Sequence, residues 1–236
     1  MKALTCPNCG AALSPQAAKM DIATCEFCGT SFRIPKTLTP EPDMGDLLLG
    51  ADFSSQIMPG WEALNLDKLN FYKGPPSELR GRFTPQVNSY YALRSSGLFD
   101  NFDASVNIKY TEGDKEWIRA GFYARFTDDG GYAFLVSAQA SYTFGVFVKD
   151  AKGELIFQKI MAWAYHNALR SGLNEVNRLR VICNEDSFRV YLNGVLATSF
   201  KDSRFSMGKL YLAVEPSEKS AIGVAFSDLQ LREVPT

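Results

Sequence analysis

The 236-residue sequence predicts an all-β protein built mainly from one antiparallel, two-sheet β-sandwich. Two observations carry this prediction. From residue 51 onward, short runs of alternating apolar and polar residues recur, and turn-forming residues separate them. No segment of ten or more residues keeps a helical periodicity with caps at its ends. Many short strands at this spacing are typical of a sandwich or barrel rather than of a parallel sheet.

The clearest strands lie between Asn177 and Phe200. Leu179, Val181 and Cys183 occupy every second position, as in a strand with one face on a core. Asn193-Gly194 then separates two apolar runs, and this dipeptide readily adopts the two positive φ angles of a type I′ hairpin turn. The stretch therefore predicts three antiparallel strands in sequence.

The same patterns extend the prediction over the rest of the chain, with one short turn expected within Tyr165–Leu173. The expected strands are Asp52–Phe53, Leu79–Phe83, Tyr90–Arg94, Phe102–Tyr110, Ile118–Phe126, Tyr132–Ser137, Tyr142–Lys149, Leu155–Ala164, Arg178–Cys183, Phe188–Leu192, Val195–Phe200, Leu210–Val214 and Val224–Arg232.

Composition excludes several classes of protein. Apolar residues make up 46% of the chain and include 17 Phe, which is enough for a packed core. A net charge of −1 argues against broad electrostatic binding to nucleic acid or anionic membranes. No apolar run approaches the roughly 18 residues that a membrane span needs, and the N-terminus lacks the apolar core of a signal peptide. We therefore expect a cytoplasmic protein without a membrane span.

Four of the five cysteines form two C-x2-C pairs, Cys6 with Cys9 and Cys25 with Cys28. Each pair places two thiolates on one tight turn, and a glycine follows each pair. Together they offer a tetrahedral shell of four thiolates, which suits Zn²⁺. The arrangement resembles a zinc ribbon over residues 1–36, with these four cysteines as the metal ligands.

Iron bound by the same thiolates is an alternative to zinc. In either case a closed four-thiolate shell leaves no open position for catalysis, and so small a segment needs a metal to fold. We therefore expect a structural Zn²⁺. The ribbon carries four positive and two negative side chains. Since four thiolates and Zn²⁺ bring this balance to about zero, we do not expect the ribbon to bind nucleic acid.

Residues 37–50 are rich in proline, glycine and acidic residues and are expected to form a linker. An ordered arm lying against the large domain stays open as an alternative for Leu47–Leu49. Residues 51–236 then form the sandwich.

The sandwich carries motifs in a characteristic order. Asp52-Phe53 and Trp61 come first, FDASVNIKY and AGFYARFTDDGGYAFLV follow, and FSDLQLRE closes the series. This order resembles the concanavalin-like, laminin-G-like jelly-roll superfamily, in particular the bacterial family with 3-keto-disaccharide-hydrolase-like domains. The resemblance covers about residues 51–234. It implies a jelly roll that binds carbohydrate, binds protein or cleaves glycosides, since this fold does not fix function.

Catalysis would require a specific pair of acids. A retaining glycosidase uses two carboxylates about 5 Å apart. Jelly-roll endoglucanases supply them from E-x-D-x-x-E on one strand, and this chain has no such string. Glu185-Asp186 lies in a predicted turn, His166 follows Trp163 in a predicted loop, and Cys183 falls on the apolar phase of its strand. We expect none of them to be catalytic.

Calcium is often bound by the resembled superfamily. Asp128-Asp129, beside two glycines, offers carboxylate oxygens, but a calcium site of six to eight ligands needs more than one turn. We expect a polar hairpin turn at this position.

The alternation places arginine and tyrosine on the solvent phase of several strands. If these strands share one sheet, its outer face carries aromatic rings for stacking on sugars and guanidinium groups for hydroxyls or carboxylates. Ordinary cross-strand pairing on a solvated sheet is the alternative. The predicted ligand-binding residues are Arg119, Tyr123, Arg125, Arg180, Arg189 and Tyr191, with Trp163 at the rim.

The sequence therefore predicts a non-catalytic interaction module, a structural zinc ribbon tethered to a jelly roll that recognises a protein or a carbohydrate. The expected cytoplasmic location favours a protein ligand. A glycoside-cleaving enzyme, hydrolase or lyase, built on the jelly roll is the alternative.

Overall fold

The structure is a computed structural model that describes residues 5–6, 8–12, 22–33, 41–55, 58–73, 76–85, 90–216 and 219–234. The first part of the predicted linker lies outside these residues. A 3-10 turn forms at Leu66–Lys68. The strands are β1 (Ile22–Thr24), β2 (Ser31–Arg33), β3 (Leu47–Ala51), β4 (Trp61–Ala63), β5 (Leu69–Tyr72), β6 (Glu78–Phe83), β7 (Tyr90–Ser95), β8 (Phe102–Glu112), β9 (Arg119–Thr127), β10 (Gly130–Ser137), β11 (Ser141–Lys149), β12 (Leu155–His166), β13 (Val176–Asn184), β14 (Ser187–Leu192), β15 (Val195–Lys201), β16 (Lys209–Glu215) and β17 (Ile222–Arg232).

These strands form two sheets that pack face to face. The nine-stranded sheet has the order β1-β2-β12-β11-β10-β9-β16-β7-β4, and the eight-stranded sheet has the order β15-β14-β13-β8-β17-β6-β5 with β3 also paired to β17. Apolar side chains from both sheets, such as Phe122, Phe134, Leu179 and Val181, fill the space between them. The predicted all-β sandwich is confirmed.

Local sequence signals located the long strands well. The turn between β14 and β15 has φ of +49° at Asn193 and +81° at Gly194, as a type I′ turn requires. Two points need correction. Asp52–Phe53 is not a strand, because the Asp52 carboxylate accepts hydrogen bonds from Ser54 and turns the chain after β3. The short strands β4 and β5 were not predicted. The short turn expected within Tyr165–Leu173 is confirmed: it lies at residues 167–168, directly after β12 ends at His166.

The ribbon is joined to the edge of the nine-stranded sheet. Its hairpin, β1 and β2, is antiparallel, and β2 pairs in parallel with the end of β12, placing Phe32 beside Tyr165. Tyr165 also packs against the ribbon's small core, in which Phe32 and Cys25 are buried. The hairpin therefore extends the sheet and shares a core with it.

The end of the predicted linker is an ordered arm on the other sheet. Leu47–Ala51 pairs antiparallel with β17, so the arm alternative is confirmed and β3 lies across the predicted boundary between residues 50 and 51. Just before β3, the carboxylate of Glu41 accepts hydrogen bonds from Arg178. The first fifty residues thus contact both sheets.

Among the described residues, no helix has the length and hydropathy that crossing a bilayer would require.

Candidate functional site

The nine-stranded sheet carries an aromatic cluster on the face that points away from the sandwich core, which we name the outer face. Tyr123 and Phe126 of this cluster are buried, whereas its other aromatic members are only half-buried and offer ring surface to solvent. In an antiparallel sheet with one face in solvent, the solvent-facing residues are normally polar. An aromatic cluster on that face is therefore unusual. The cluster consists of Tyr91, Tyr123, Phe126, Ala133, Leu135, Phe147, Phe157, Trp163, Tyr211 and Ala213.

The rings form a continuous series across five strands. Tyr211 of β16 lies 4.9 Å from Tyr91 of β7, centroid to centroid, and Tyr91 lies 5.7 Å from Tyr123 of β9. Tyr123 lies 5.1 Å from Phe147 of β11, which lies 5.1 Å from Phe157 of β12. These separations are in the range that aromatic pairs prefer.

An arginine and a glutamate lie on one side of this series. The guanidinium carbon of Arg119 lies 4.9 Å from the centre of the Trp163 ring, a cation–π contact. An Arg119 nitrogen is 4.0 Å from a Glu215 oxygen, and the Tyr123 hydroxyl donates to the same carboxylate. Burial raises the pKa of Tyr91, and Tyr211 and Glu215 raise it further. The phenol of Tyr91 therefore stays protonated over an ordinary pH range.

A second ion pair lies on the other side of the series. Arg94 of β7 donates through Nε to the Glu62 carboxylate of β4 at 3.1 Å, and Glu62 and then the Tyr211 hydroxyl raise the pKa of Arg94. The outer face thus combines aromatic rings, phenol hydroxyls and two Arg–Glu pairs. This combination is suited to a polar ligand that also has a flat apolar side.

The strands of the nine-stranded sheet contain only two carboxylates, Glu62 and Glu215. Glu62 pairs with Arg94, which pairs with Tyr211, and Glu215 lies four residues further along β16. Two strand spacings and four residue rises separate their Cα atoms by about 16 Å. Each carboxylate is also held by the partners described above.

Three of the predicted ligand-binding residues lie together on the outer face. Arg119 and Tyr123 are on β9, and Trp163, predicted at a rim, is on β12, close enough for its ring to contact Arg119. Their ligand-binding role stays a prediction.

Arg125 does not share their face. It has φ +48°, and the pairing of β9 with β10 shifts register next to it, so a β-bulge reverses the alternation at this point. Phe126 consequently joins the outer face. Arg125, only 2% exposed, donates to the carbonyls of Asp100 and Phe205 and lies over the core ring of Phe188. The expectation that Arg125 lies beside Tyr123 was wrong.

The condition that all the predicted residues share one sheet is not met. Arg180, Arg189 and Tyr191 lie on β13 and β14, in the eight-stranded sheet. Arg180 is 1% exposed and bonds the buried carboxylate of Asp103, and it also donates to the backbone carbonyl of Pro42 in the arm. Tyr191 is buried beside it. Alternation along a strand shows which residues face away from the core. It does not show which sheet the strand joins or whether another segment covers that face.

The structure also adds residues that sequence analysis did not select. Tyr91, Tyr211 and Phe147 follow the same solvent phase as Tyr123. Glu215 and the Glu62–Arg94 pair complete the polar part of the face. The alternation in β7 and β16 contained this signal, but linking those strands to β9 requires the sheet order.

The remaining candidates have ordinary structural contacts. His166 is buried and edge-on to Tyr142, and Cys183 is buried as predicted. Asp129 of the predicted hairpin turn forms an ion pair with Lys149 at 2.7 Å.

The four ribbon cysteines converge as predicted. Their sulfur atoms all lie within 4.8 Å of one another, and the shortest separations are 3.7 Å for Cys6–Cys28 and 3.6 Å for Cys9–Cys25. Four Zn–S bonds of about 2.3 Å in a tetrahedron place sulfurs about 3.8 Å apart, so the cluster fits zinc. Gly10 and Gly29 have φ of +74° and +71° and close the two turns. The four cysteines could therefore hold a metal ion.

Comparison with known proteins gives a match in fold only. No family model and no curated protein matches the sequence of this chain. Solved structures match the sandwich closely enough to identify its architecture. The sandwich is a jelly roll.

A carbohydrate-binding module, CBM66 from Bacillus subtilis, matches with a TM-score of 0.51 at 18% identity, covering 74% of this chain and 96% of that one. A Bacteroides ovatus GH16 protein in complex with a mixed-linkage glucan product matches with a TM-score of 0.59 at 10% identity, covering 78% and 100%. The Crh5 transglycosylase matches with a TM-score of 0.55 at 13% identity, covering 86% and 92%. The finer resemblance to the 3-keto-disaccharide-hydrolase-like family stays a prediction.

Proposed function

We propose that this protein is a non-catalytic carbohydrate-binding module whose ligand lies on the outer face of the nine-stranded sheet. The observation that carries the proposal is the series of rings from Tyr211 to Phe157, half-buried except for the buried Tyr123, with an Arg–Glu pair on each side. A sugar ring has an apolar face for stacking and hydroxyls for charged hydrogen-bonding groups. Trp163, already in contact with Arg119, offers the largest aromatic surface.

The arrangement of acids favours binding over cleavage. Retaining glycosidases hold their carboxyl groups about 5 Å apart and inverting ones about 6.5–9.5 Å apart. Glu62 and Glu215 have Cα atoms about 16 Å apart, and each is engaged by its own arginine. The acid pair required for glycoside hydrolysis is therefore not supplied by the strands of this sheet.

The structural matches support a carbohydrate ligand over a protein ligand. One of them is named a carbohydrate-binding module, and another was solved in complex with a glucan product. A protein ligand on the same face remains the alternative that the experiment below distinguishes.

The test uses the full-length chain and a panel of soluble glucans, fructans and uronate polymers in affinity electrophoresis, followed by calorimetry. Tyr211→Ala and Trp163→Ala should each weaken binding by about 10-fold, the effect of losing about 1.4 kcal/mol of stacking. Tyr72→Ala is the matched control, because Tyr72 is 47% exposed on the eight-stranded sheet. It should leave affinity unchanged.

Three outcomes would contradict the proposal. The wild-type protein would retain no glycan, the outer-face variants would bind as well as the control, or the glycan would be shortened during incubation. Shortening, detected by chromatography of the products and lost in Glu215→Gln, would establish the glycoside-cleaving alternative.

For the ribbon we propose a structural Zn²⁺ bound by Cys6, Cys9, Cys25 and Cys28. When bound, the ion crosslinks the two turns. Hydrogen bonds from Thr30 lower the pKa of Cys28 to about 6, whereas burial raises the pKa of Cys6 to about 12. Metal analysis should find one zinc per chain and none in Cys25→Ser, and iron in its place would contradict the assignment. We also propose a reducing, cytoplasmic compartment, since two C-x2-C pairs fit a metal site better than a disulfide framework.

A further inference from the structure

The nine-stranded sheet has an open edge at the beginning of β12. Leu155 to Lys159 pair with β11 on one side in regular register, from Lys149 to Gly145. Within the described part of the chain, β2 pairs with β12 only at Tyr165 and His166, so no described strand lies on the other side of this stretch. Unpaired N–H and C=O groups on such an edge are a template for pairing with another strand.

The rest of β12 is protected, which isolates this stretch. The register between β11 and β12 shifts twice, between Lys159 and Met161 and between Met161 and Ala164, and such bulges disrupt further pairing. The ribbon covers the end. From Leu155 to Ala164 the strand contains no proline and only one charged residue, Lys159. The charges and prolines that proteins use to keep edge strands apart are therefore almost missing from its regular part.

Exposed apolar side chains accompany the open backbone. Leu155 is 40% exposed and Ile156 is 41% exposed, on opposite faces of the strand. Strand addition would bury apolar surface on both faces together with the backbone groups.

We propose that a second copy of this chain occupies the edge, through antiparallel pairing of the two β12 strands about a two-fold axis at Phe157. The stretch is self-complementary in this register. Phe157 faces its own copy as an aromatic cross-strand pair, Ile156 faces Gln158 of the other copy, and Leu155 faces Lys159. The two Lys159 Cα atoms lie about 14 Å apart, beyond the screening length at ordinary salt.

This pairing would place the outer faces of both copies on one continuous sheet. The consequence rests on the proposed carbohydrate function. Two faces side by side can engage one polysaccharide together, and the second contact then becomes intramolecular. The dimer would bind a polymer much more tightly than a short oligosaccharide. A monomer would bind the two with similar affinity.

Sedimentation velocity of the full-length protein at 5–100 µM, without glycan, tests the dimer separately from ligand binding. Ile156→Lys introduces a charge at the edge, at a position that does not belong to the outer-face cluster. Leu98→Lys is the matched control, since Leu98 is 55% exposed and far from β12 in the chain. We expect wild type and L98K to sediment as dimers and I156K as a monomer with an unchanged melting temperature.

A monomeric wild-type protein over this range would overturn the proposal. So would a dimer that survives in I156K, because it would use another surface. Loss of the dimer in both lysine variants would also contradict the β12 assignment. If the wild type is a dimer that binds no glycan, the dimer stands and the carbohydrate function fails.

Discussion

Tyr165 of β12 and Phe32 of β2 are paired in parallel register, and the Tyr165 ring packs against the ribbon core that contains Phe32 and Cys25. The cysteine-rich segment and the jelly roll therefore share a sheet edge and apolar contacts. A change in the metal site should be transmitted to the end of β12.

Removal of the metal by a strong chelator should release the ribbon from that edge, because residues 22–33 have too small a core to fold without it. Hydrogen-exchange mass spectrometry should show protection lost over residues 22–33 and Tyr165–His166. Peptides from β13 and β14 serve as the internal control and should stay protected. Unchanged protection of residues 22–33 in protein shown to be metal-free would contradict this prediction.

Replacing Arg180 by alanine should destabilise the protein by about 3–5 kcal/mol, because it leaves the buried carboxylate of Asp103 without its cation. Arg180 Nε donates to Asp103 at 2.8 Å, and both side chains are almost fully buried. Urea unfolding measures the change. Arg82→Ala breaks the exposed pair with Glu112 and should cost at most about 1 kcal/mol. Equal costs for the two variants would show that burial of the Arg180 pair has no effect.

Two substitutions at Asn193 should separate the stability cost of backbone strain from the cost of lost side-chain hydrogen bonds. Its Nδ2 donates to the Ala168 carbonyl at 2.7 Å, its Oδ1 accepts from the Arg178 amide at 2.7 Å, and its φ is +49°. Asn193→Gly loses the bonds and keeps an easy positive φ, whereas Asn193→Ala also incurs about 1 kcal/mol of left-handed strain. Thermal and urea unfolding should rank alanine as the less stable variant. The reverse order would refute the strain argument.

Asp202 should make stability depend on pH only in strong acid. Burial tends to raise its pKa, but hydrogen bonds from Arg204 and from the Tyr132 hydroxyl outweigh burial and lower the pKa to about 2 from 3.8. Because the folded pKa is the lower one, the ionised carboxylate stabilises the fold above pH 4. That contribution, about 2 kcal/mol, is lost as pH falls toward 2.

The check on Asp202 is urea unfolding of the wild type and Asp202→Asn between pH 2 and pH 6. The stability difference between the two proteins should shrink as pH falls through this window. A difference that stays constant with pH would show that ionisation of Asp202 does not contribute.

Local sequence patterns predicted the features that depend on residues close together in the chain, namely the cysteine turns and the longer strands. The two cysteine pairs predicted which residues converge on the candidate metal site, since each C-x2-C turn is closed by its own backbone hydrogen bond. Alternation located the longer strands to within about two residues, as their length gives several periods of evidence. Strands β4 and β5, with three and four residues, are too short to show a period.

The site was predicted only in part because it depends on pairing between distant strands. Arg119 and Arg180 show the same solvent phase, yet one lies on the outer face and the other lies beneath the arm near Glu41. Arg125 failed for a different reason. Arginine seldom adopts a positive φ, so nothing in the local sequence announced the bulge that turns its side chain inward.

The pairing of Leu47–Ala51 with β17 has a practical consequence for anyone dissecting this protein. A fragment that begins at residue 51 would leave half of β17 as an unpaired sheet edge. It would also remove Glu41 and its ion pairs with Arg178 and Arg180. Such a fragment would tend to self-associate through this edge. Its self-association could then be mistaken for a property of the intact protein. The smallest fragment suited to binding assays therefore begins upstream of Glu41. Composition alone would suggest that this region is a linker that can be removed.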